Sequence, residues 1–169
     1  MSYWRTLLLR VNPVPFFLTL AVLTGALLAQ AKEPPANACT MLPAAQVSKA
    51  LQQPFGSPAK TTAPAASFDR VTGTDCTYRS EGGSQLLFRI YVDPSVAVAK
   101  DTFTKLSAFF APNRPVAGDW DSAYFDPKHM IHVQKGKQRY GFILSPIGAD
   151  AAQAEKQLKD LATWVAGQL

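Results

Sequence analysis

A β-hairpin over residues 129–145 constrains the fold of this chain more than any other stretch. With Lys135-Gly136 taken as its loop, facing residues of the antiparallel pair share one side. One side is then apolar and consists of Ile131, Val133, Tyr140, Phe142 and Leu144. The other side is mostly polar and includes His132, Gln134, Lys137 and Arg139. Because a slip by one residue would mix the two sets, we expect a sheet whose apolar side is buried by other segments.

Three segments with helical periodicity or capping residues predict helices that cover that apolar side. The first helix follows Pro43, where a missing N–H group costs nothing. The second begins at Asp93-Pro94, and its apolar stripe, which reaches Phe110, is assigned to core packing. The third is capped by Asp150, with Gln153 closing a capping box.

The remaining strands complete an α+β pattern. Glu81-Gly82-Gly83 joins two strands into a second hairpin, and a short strand lies around Tyr124. Residues 55–69 show neither the helical period of 3.6 residues nor the strand period of two, which predicts a surface loop. The predicted order is α-β-β-α-β-β-β-α, an α+β fold in which an antiparallel sheet of about five strands packs with three helices.

The first 31 residues have the pattern of a secretory signal peptide. Arg5 and Arg10 precede an apolar run over 14–29, which ends in Ala29-Gln30-Ala31. We therefore expect cleavage before Lys32 and a periplasmic or secreted protein without a stable membrane span. The alternative is an uncleaved anchor, although the run is shorter than the ~20 apolar residues that a bilayer-spanning helix needs.

Cleavage would leave 138 of the 169 residues, which is the length of a single domain with one core. Residues 32–38 are polar, contain two prolines and predict a mobile lead before a single α+β domain at 39–169. Cleavage also removes two of the 17 basic residues, so 15 remain against 12 acidic ones. That net charge of +3 is too small and too scattered to indicate nucleic-acid binding.

Cys39 and Cys76 are the only cysteines of the chain. An even number in an exported protein favours one disulfide between them. The alternative is a pair of buried free thiols. A structural zinc site needs four ligands, so two cysteines do not indicate one.

No catalytic motif, cofactor site or metal site emerges from the polar residues. His129 and His132, the only histidines, would point to opposite faces of a strand, so we interpret them as satisfied or solvated side chains. Asp119, Asp121 and Asp126 could support acid–base chemistry or bind Ca²⁺. They lack the spacing of a calcium loop, and we interpret them as solvated loop residues. The prediction is a protein that is not an enzyme.

Two features remain as candidate binding sites. Trp120 lies on a loop at 111–121, where it could contact a partner or fold back over the sheet edge. The second feature is a basic hairpin surface made of His132, Lys135, Lys137 and Arg139. That surface could dock an acidic protein or an anionic envelope polymer, or it could be only solvated. Because Lys135, Lys137 and Arg139 are off the apolar side, replacing all three by Glu should leave folding intact.

A loose frame of motifs resembles a known group of proteins. Cys39 precedes a Leu-Pro-Ala-x-x-Val helix, Asp75-Cys76-Thr77-Tyr78 follows, and V-x-G-D-x-D-x-A-Y occupies Val116–Tyr124. This frame is similar to small exported bacterial proteins, many of them lipoproteins of unassigned function with a PsbP-like α/β fold. The resemblance implies that fold for residues 39–169 and carries no catalytic residues. Cys39 is too far from the apolar run for lipidation, and Trp120 stands where those proteins tend to have Gly.

Three functional hypotheses follow. The first is an exported, non-enzymatic cell-envelope protein that binds another protein or an envelope component. The second is a carrier of a small apolar ligand, which a cavity between the sheet and the helix carrying Phe103 and Phe110 would favour. The third is a hydrolase that uses His132 or the Asp119 and Asp121 pair, which a cleft joining His132 to a carboxylate and a hydroxyl would favour.

Overall fold

The structure, a computed structural model, describes residues 37–63, 71–148 and 150–169. Within these ranges it contains four helices and seven strands, so the α+β class is confirmed, whereas the predicted three helices and about five strands are wrong. The predicted signal peptide and most of the predicted lead lie outside the described residues. In chain order the elements are α1 (Ala38–Met41), α2 (Ala44–Leu51), β1 (Ala59–Ala63), β2 (Gly73–Arg79), β3 (Gln85–Val92), α3 (Val96–Phe109), β4 (Arg114–Pro115), β5 (Ser122–Phe125), β6 (Ile131–Lys135), β7 (Gln138–Ser145) and α4 (Ala151–Ala166).

The seven strands form one antiparallel sheet with the order β1-β2-β3-β7-β6-β5-β4. Both predicted hairpins are present, as β2–β3 and β6–β7. β3 and β7 pair along their whole length, from Gln85 opposite Ser145 to Val92 opposite Gln138. This central pair joins the two hairpins, while the two-residue β4 ends the sheet on the side of β5.

Helices lie on both faces of the sheet. Residues of α1, α2 and α4 share the main core with the apolar side of the strands, whose largest buried members include Tyr78, Leu86, Phe88, Ile90, Ile131 and Phe142. Burying each large apolar side chain contributes about 1.5–3 kcal/mol. α3 covers the opposite face, because its Phe103 contacts Tyr124 while Ala123 and Phe125, the neighbours of Tyr124 along β5, belong to the main core.

The β6–β7 hairpin has the predicted faces but not the predicted register. Its loop is Gly136-Lys137 rather than Lys135-Gly136, and Gln134 faces Arg139 rather than Lys137. Gly136 has a φ of +56°, which suits glycine at the first loop position of a type II′ turn. Moving the loop by one residue changes each partner by two positions, so the alternation of sides is preserved.

Three elements have no counterpart in the sequence-based prediction. The two-residue β4 lies within the predicted loop at 111–121 and is too short to show alternation. β1 lies within residues 55–69, and the prediction of a loop is wrong there because an edge strand with four of five residues exposed carries no apolar alternation. α1 is a single helical turn, which is too short to show a period. Its cap, Asn37, and its first residue, the buried Ala38, belong to the domain rather than to a mobile lead.

The start of α3 differs from the prediction, whereas the start of α4 agrees with it. α3 begins at Val96, and its cap is the hydroxyl of Ser95, so Asp93-Pro94 does not open the helix. Asp93 is buried instead, for a reason given below. At α4, the carboxylate of Asp150 accepts a hydrogen bond from the backbone N–H of Gln153 at 2.9 Å, as predicted.

The predicted disulfide is confirmed, and it ties α1 to β2. The sulfur atoms of Cys39 and Cys76 are 2.10 Å apart. Two residues beyond Cys76, the phenol of Tyr78 donates to the carbonyl oxygen of Leu42, just after α1. Burial raises the pKa of Tyr78 well above its ordinary value, so the phenol stays protonated and keeps this hydrogen bond. A covalent bond and a buried hydrogen bond therefore hold the first turn against the sheet.

Candidate functional site

Arg139, which the sequence places on an exposed basic surface, is buried. Its Nε and Nη2 atoms lie 2.5 and 3.0 Å from the two carboxylate oxygens of Asp93, and each residue is only 2 % exposed. The guanidinium also lies 5.0 Å from the ring centre of Tyr91. The expectation of an exposed Arg139 is wrong because the polar side of β7 faces α3 rather than solvent.

His132, a second candidate from the same surface, stacks with two aromatic rings. The ring centres of Phe110 and Tyr124 lie 5.1 and 4.8 Å from that of the imidazole, with interplanar angles of 25° and 21°. The Nε2 atom lies 3.2 Å from Oδ2 of Asp126. His132 therefore fastens the end of α3 to the sheet.

Lys135 is engaged within the domain, whereas the side chain of Lys137 is exposed in the turn. Lys135 Nζ donates to Asp119 Oδ2 at 2.9 Å and to the carbonyl oxygen of Ala166, the last residue of α4, at 3.0 Å. A cation at this end of a helix is favourable because the helix dipole is negative there. The four residues of the predicted basic surface therefore do not form one exposed patch.

Trp120 folds back on its own loop. Its Nε1–H donates to the carbonyl oxygen of Val116 at 2.8 Å, and its half-buried ring packs against the main core. Gly118 lies against the ring so closely that a Cβ atom there would be 2.2 Å from it. Of the two arrangements that the sequence leaves open, the structure shows the folded-back one.

The three loop aspartates are bound to the hairpin region. Their interpretation as solvated loop residues is wrong for the buried Asp126, whereas Asp121 is exposed and the side chain of Asp119 is 84 % exposed. Oδ2 of Asp121 accepts the backbone N–H of Gly136 at 2.7 Å, and Asp119 pairs with Lys135. Asp126 is buried and accepts two backbone N–H groups of the turn that follows it, at 2.8 and 3.0 Å. These carboxylates fix loop geometry, which sequence spacing alone does not reveal.

A cleft lies where the β4–β5–β6 end of the sheet meets the start of α4, and we take it as the candidate site. Its volume is about 540 Å³, within the ~300–1,000 Å³ typical of ligand sites. Three separated stretches line it, at 112–114, 126–129 and 151–155. Much of the wall is apolar and is made of Pro112, Pro127, Ala151 and Ala152.

Arg114, His129 and Glu155 meet at this cleft and form what we call the cleft triad. Arg114 approaches the Glu155 carboxylate with two nitrogens: Nη1 lies 3.0 Å from Oε2, and Nη2 contacts Oε1. His129 Nδ1 lies 2.5 Å from the same Oε1. The hydrogen bond from Arg114, assisted by that from His129, holds the pKa of Glu155 below its usual range although burial opposes the shift. Glu155 is therefore an ionised carboxylate at neutral pH.

The turn that presents His129 is fixed by Asp126. His129 has a φ of +62°, which is uncommon for a residue with a side chain. Its N–H donates to the carbonyl oxygen of Asp126 at 3.0 Å, and the Asp126 carboxylate accepts the N–H groups of Lys128 and Met130. Burial alone would raise the pKa of Asp126. Hydrogen bonds from His132 and these two amides together outweigh burial, so the pKa is lowered and the carboxylate is ionised.

α3 ends in an exposed aromatic side chain, three residues before Pro112, the first residue of the cleft wall. Phe109, in the last turn of α3, is 73 % exposed. Asn113, in the cleft wall, donates its amide hydrogens to the carbonyl and hydroxyl oxygens of Ser107 at 2.8 and 3.0 Å. These bonds tie the cleft wall to the helical turn that carries Phe109.

Sequence reasoning misses the cleft triad because its members are far apart in the chain. Arg114 and Glu155 are separated by 41 residues, and His129 and Glu155 by 26. The local signal is Asp126-Pro127, a dipeptide that favours the start of a turn and so marks the loop that carries His129.

Comparison with models of protein families and with curated proteins gives no match to this chain. The class that the structure defines is an α+β domain with a seven-stranded antiparallel sheet, helices on both faces and a cleft beside α4. Among the residues that the structure describes, no helix is both long and apolar enough to cross a bilayer. The same ranges, 37–63, 71–148 and 150–169, hold no group of three His, Cys, Asp or Glu side chains placed to bind a metal ion.

Proposed function

We propose that this chain is an exported, non-enzymatic cell-envelope protein that binds a partner protein through the cleft and Phe109. The exposure of Phe109 carries the proposal, because a large aromatic side chain that is 73 % exposed can anchor a partner. Its end of α3 is hydrogen-bonded to the cleft wall through Ser107 and Asn113. Arg114, whose side chain is 61 % exposed, adds a residue of the cleft wall that a partner can reach. Aromatic and arginine side chains are enriched among the residues that dominate the binding energy of protein interfaces.

Export is part of the proposal and has two supports. The disulfide between Cys39 and Cys76 is of a kind that persists in oxidising compartments such as the periplasm or the exterior. The first 31 residues carry the pattern of a signal peptide. The proposal therefore includes a periplasmic or secreted location and kinship with the small exported bacterial proteins of PsbP-like fold.

The hydrogen bonding of the cleft supports binding rather than catalysis. Glu155 accepts from Arg114 and His129, and Asn113 donates to the end of α3. Asp126 accepts from His132 and two backbone amides. Groups that hold one another in this way present a fixed shape and hydrogen-bond pattern, which is what recognition requires. The proposal needs no cofactor or metal.

A small apolar ligand is a second candidate occupant, and the volume and apolar walls of the cleft favour it. The cleft is not in the position that the sequence suggests for such a ligand. Between α3 and the sheet, the rings of Phe103, Phe110, Tyr124 and His132 pack against one another. A carrier function would therefore use the cleft beside α4.

Photocrosslinking tests the partner. A photoreactive phenylalanine derivative is placed at position 109 of the mature protein, which is then irradiated in an envelope extract. The matched control carries it at position 96, because Val96 lies at the other end of the same helix and is 49 % exposed. We expect one defined protein adduct at position 109 and none at position 96.

Competition makes the result specific. Excess wild-type protein should suppress the adduct, whereas the Arg114→Ala variant should not. Equal adducts at both positions, or an adduct that both competitors suppress equally, would reject the cleft as the docking site. If no protein adduct forms and a small molecule copurifies with the domain, the result favours the carrier function.

A further inference from the structure

Proton positions at the cleft triad determine what it offers to a ligand. Glu155 is ionised, so it has no hydrogen to give, and the 2.5 Å contact requires His129 Nδ1 to carry one. In the neutral ring, Nε2 is then a hydrogen-bond acceptor. Within the described ranges, Nε2 of His129 has no hydrogen-bond partner.

Arg114 offers the complementary group. Its two bonds to Glu155 use one hydrogen on each Nη atom, which leaves Nε–H and the outer Nη hydrogens as donors. The guanidinium is oriented by the carboxylate and by the ring of Phe125, whose centre lies 5.7 Å away. A fixed donor therefore stands near a fixed acceptor in one cleft.

The charges of the cleft favour an uncharged ligand. Arg114 and Glu155 cancel one another, and the ionised Asp126 already accepts hydrogen bonds from His132 and two backbone amides. An anion would meet two carboxylates, and a cation would meet a guanidinium. The proline and alanine walls offer apolar contact without adding charge.

We propose that the cleft recognises an extended, uncharged main-chain segment of the partner. A peptide unit carries one C=O acceptor and one N–H donor, which match Arg114 and His129 in that order. The apolar walls accommodate small apolar side chains of the segment. This inference rests on the proposed function and specifies which part of the partner protein binds in the cleft.

Two sets of short peptides with acetylated N-termini and amidated C-termini test the inference. One set contains only uncharged residues, and the other contains Asp or Glu at its centre. Binding to the mature, disulfide-intact protein is followed by NMR at the Arg114 Nε–H and at the amides of Ala151 and Ala152. We expect members of the uncharged set to shift these signals, with affinities unchanged between about 50 and 500 mM NaCl, because no ion pair is formed.

The informative variant is His129→Asn, because asparagine tolerates the left-handed backbone and retains a donor for Glu155. It removes the acceptor at the position of Nε2, and the affinity for uncharged peptides should fall about tenfold, since a buried donor then loses its partner. An unchanged affinity overturns the assignment of His129. Binding of the acidic set alone, with an affinity that falls with salt, shows an anion site and overturns the inference. A further outcome is that neither set shifts the signals, while wild-type protein still suppresses the adduct at position 109. The partner then does not bind as an uncharged main-chain segment, so the inference is overturned and only the proposed function stands.

Discussion

The buried ion pair between Arg139 and Asp93 gives the sharpest prediction about stability. The side chains are 3 % and 0 % exposed, and two hydrogen bonds join them. Removing one partner leaves a buried charge without compensation, which costs about 3–5 kcal/mol. Arg139→Met should therefore lower the free energy of unfolding by that amount, a large part of the ~5–15 kcal/mol that holds a domain folded. Arg139→Glu would place a second carboxylate beside Asp93. The simultaneous charge reversal of Lys135, Lys137 and Arg139 should therefore prevent folding, contrary to the expectation from the sequence.

Urea denaturation of the disulfide-intact domain, followed by circular dichroism, measures this loss. Lys137→Met is the matched control, because it removes an exposed charge of the same hairpin and should change stability by less than about 0.5 kcal/mol. Adding Asp93→Asn to Arg139→Met removes the stranded charge, so the double variant should be more stable than the sum of the single effects by about 0.5–3 kcal/mol. A loss below about 1 kcal/mol for Arg139→Met would refute the reasoning, since it would mean that Asp93 is not left desolvated and unpaired.

Three further outcomes are expected from other parts of the domain. Replacing Cys39 and Cys76 together by Ala should lower the free energy of unfolding by about 4 kcal/mol, the loop-closure value for this separation, and urea denaturation showing a loss below about 1 kcal/mol would contradict it. Gly141→Ala places a Cβ atom 2.7 Å from a backbone carbonyl oxygen of β6, so its melting temperature should fall, whereas Gly148→Ala, with open space around the new atom, should melt like the wild type. The pKa of Glu155 is held below its usual range, so its stabilisation is complete above the unfolded-state pKa of about 4.3 and is lost as the pH falls through the lower folded value. Glu155→Gln and the wild type should therefore differ in stability at pH 7 and converge in acid, and a constant difference across the titration would show that the carboxylate charge is not the cause.

The sequence predicts the sheet wherever one face is buried. Alternation along β3, β6 and β7 assigns every core residue of these strands correctly, because a buried face enforces a period of two. The same reasoning fails for β1, whose exposed residues experience no such constraint. It also misplaces the β6–β7 loop by one residue, because alternation fixes the sides but leaves the turn to Gly136 and its positive φ.

The polar residues are harder to predict because their partners come from distant segments. Arg139 lies on the polar side of its strand, as the pattern requires, and nothing local reveals that α3 and Asp93 cover it. His129 is visible in the sequence, but its significance depends on Glu155, which a different element supplies. Patterns therefore identify which side of an element a residue occupies, whereas the pairing of sites requires the three-dimensional structure.

The most direct test of partner binding at the cleft is the affinity of the crosslinked partner for two surface variants. Phe109→Ser removes the exposed aromatic side chain at the end of α3 that precedes the cleft wall, and Val96→Ser removes an exposed apolar side chain at the far end of the same helix. Isothermal titration should show a dissociation constant about thirtyfold higher for Phe109→Ser, the effect of losing an aromatic anchor worth about 2 kcal/mol, with Val96→Ser unchanged. Both variants should melt like the wild type, because neither side chain is buried. Equal affinities for Phe109→Ser and the wild type would contradict the account.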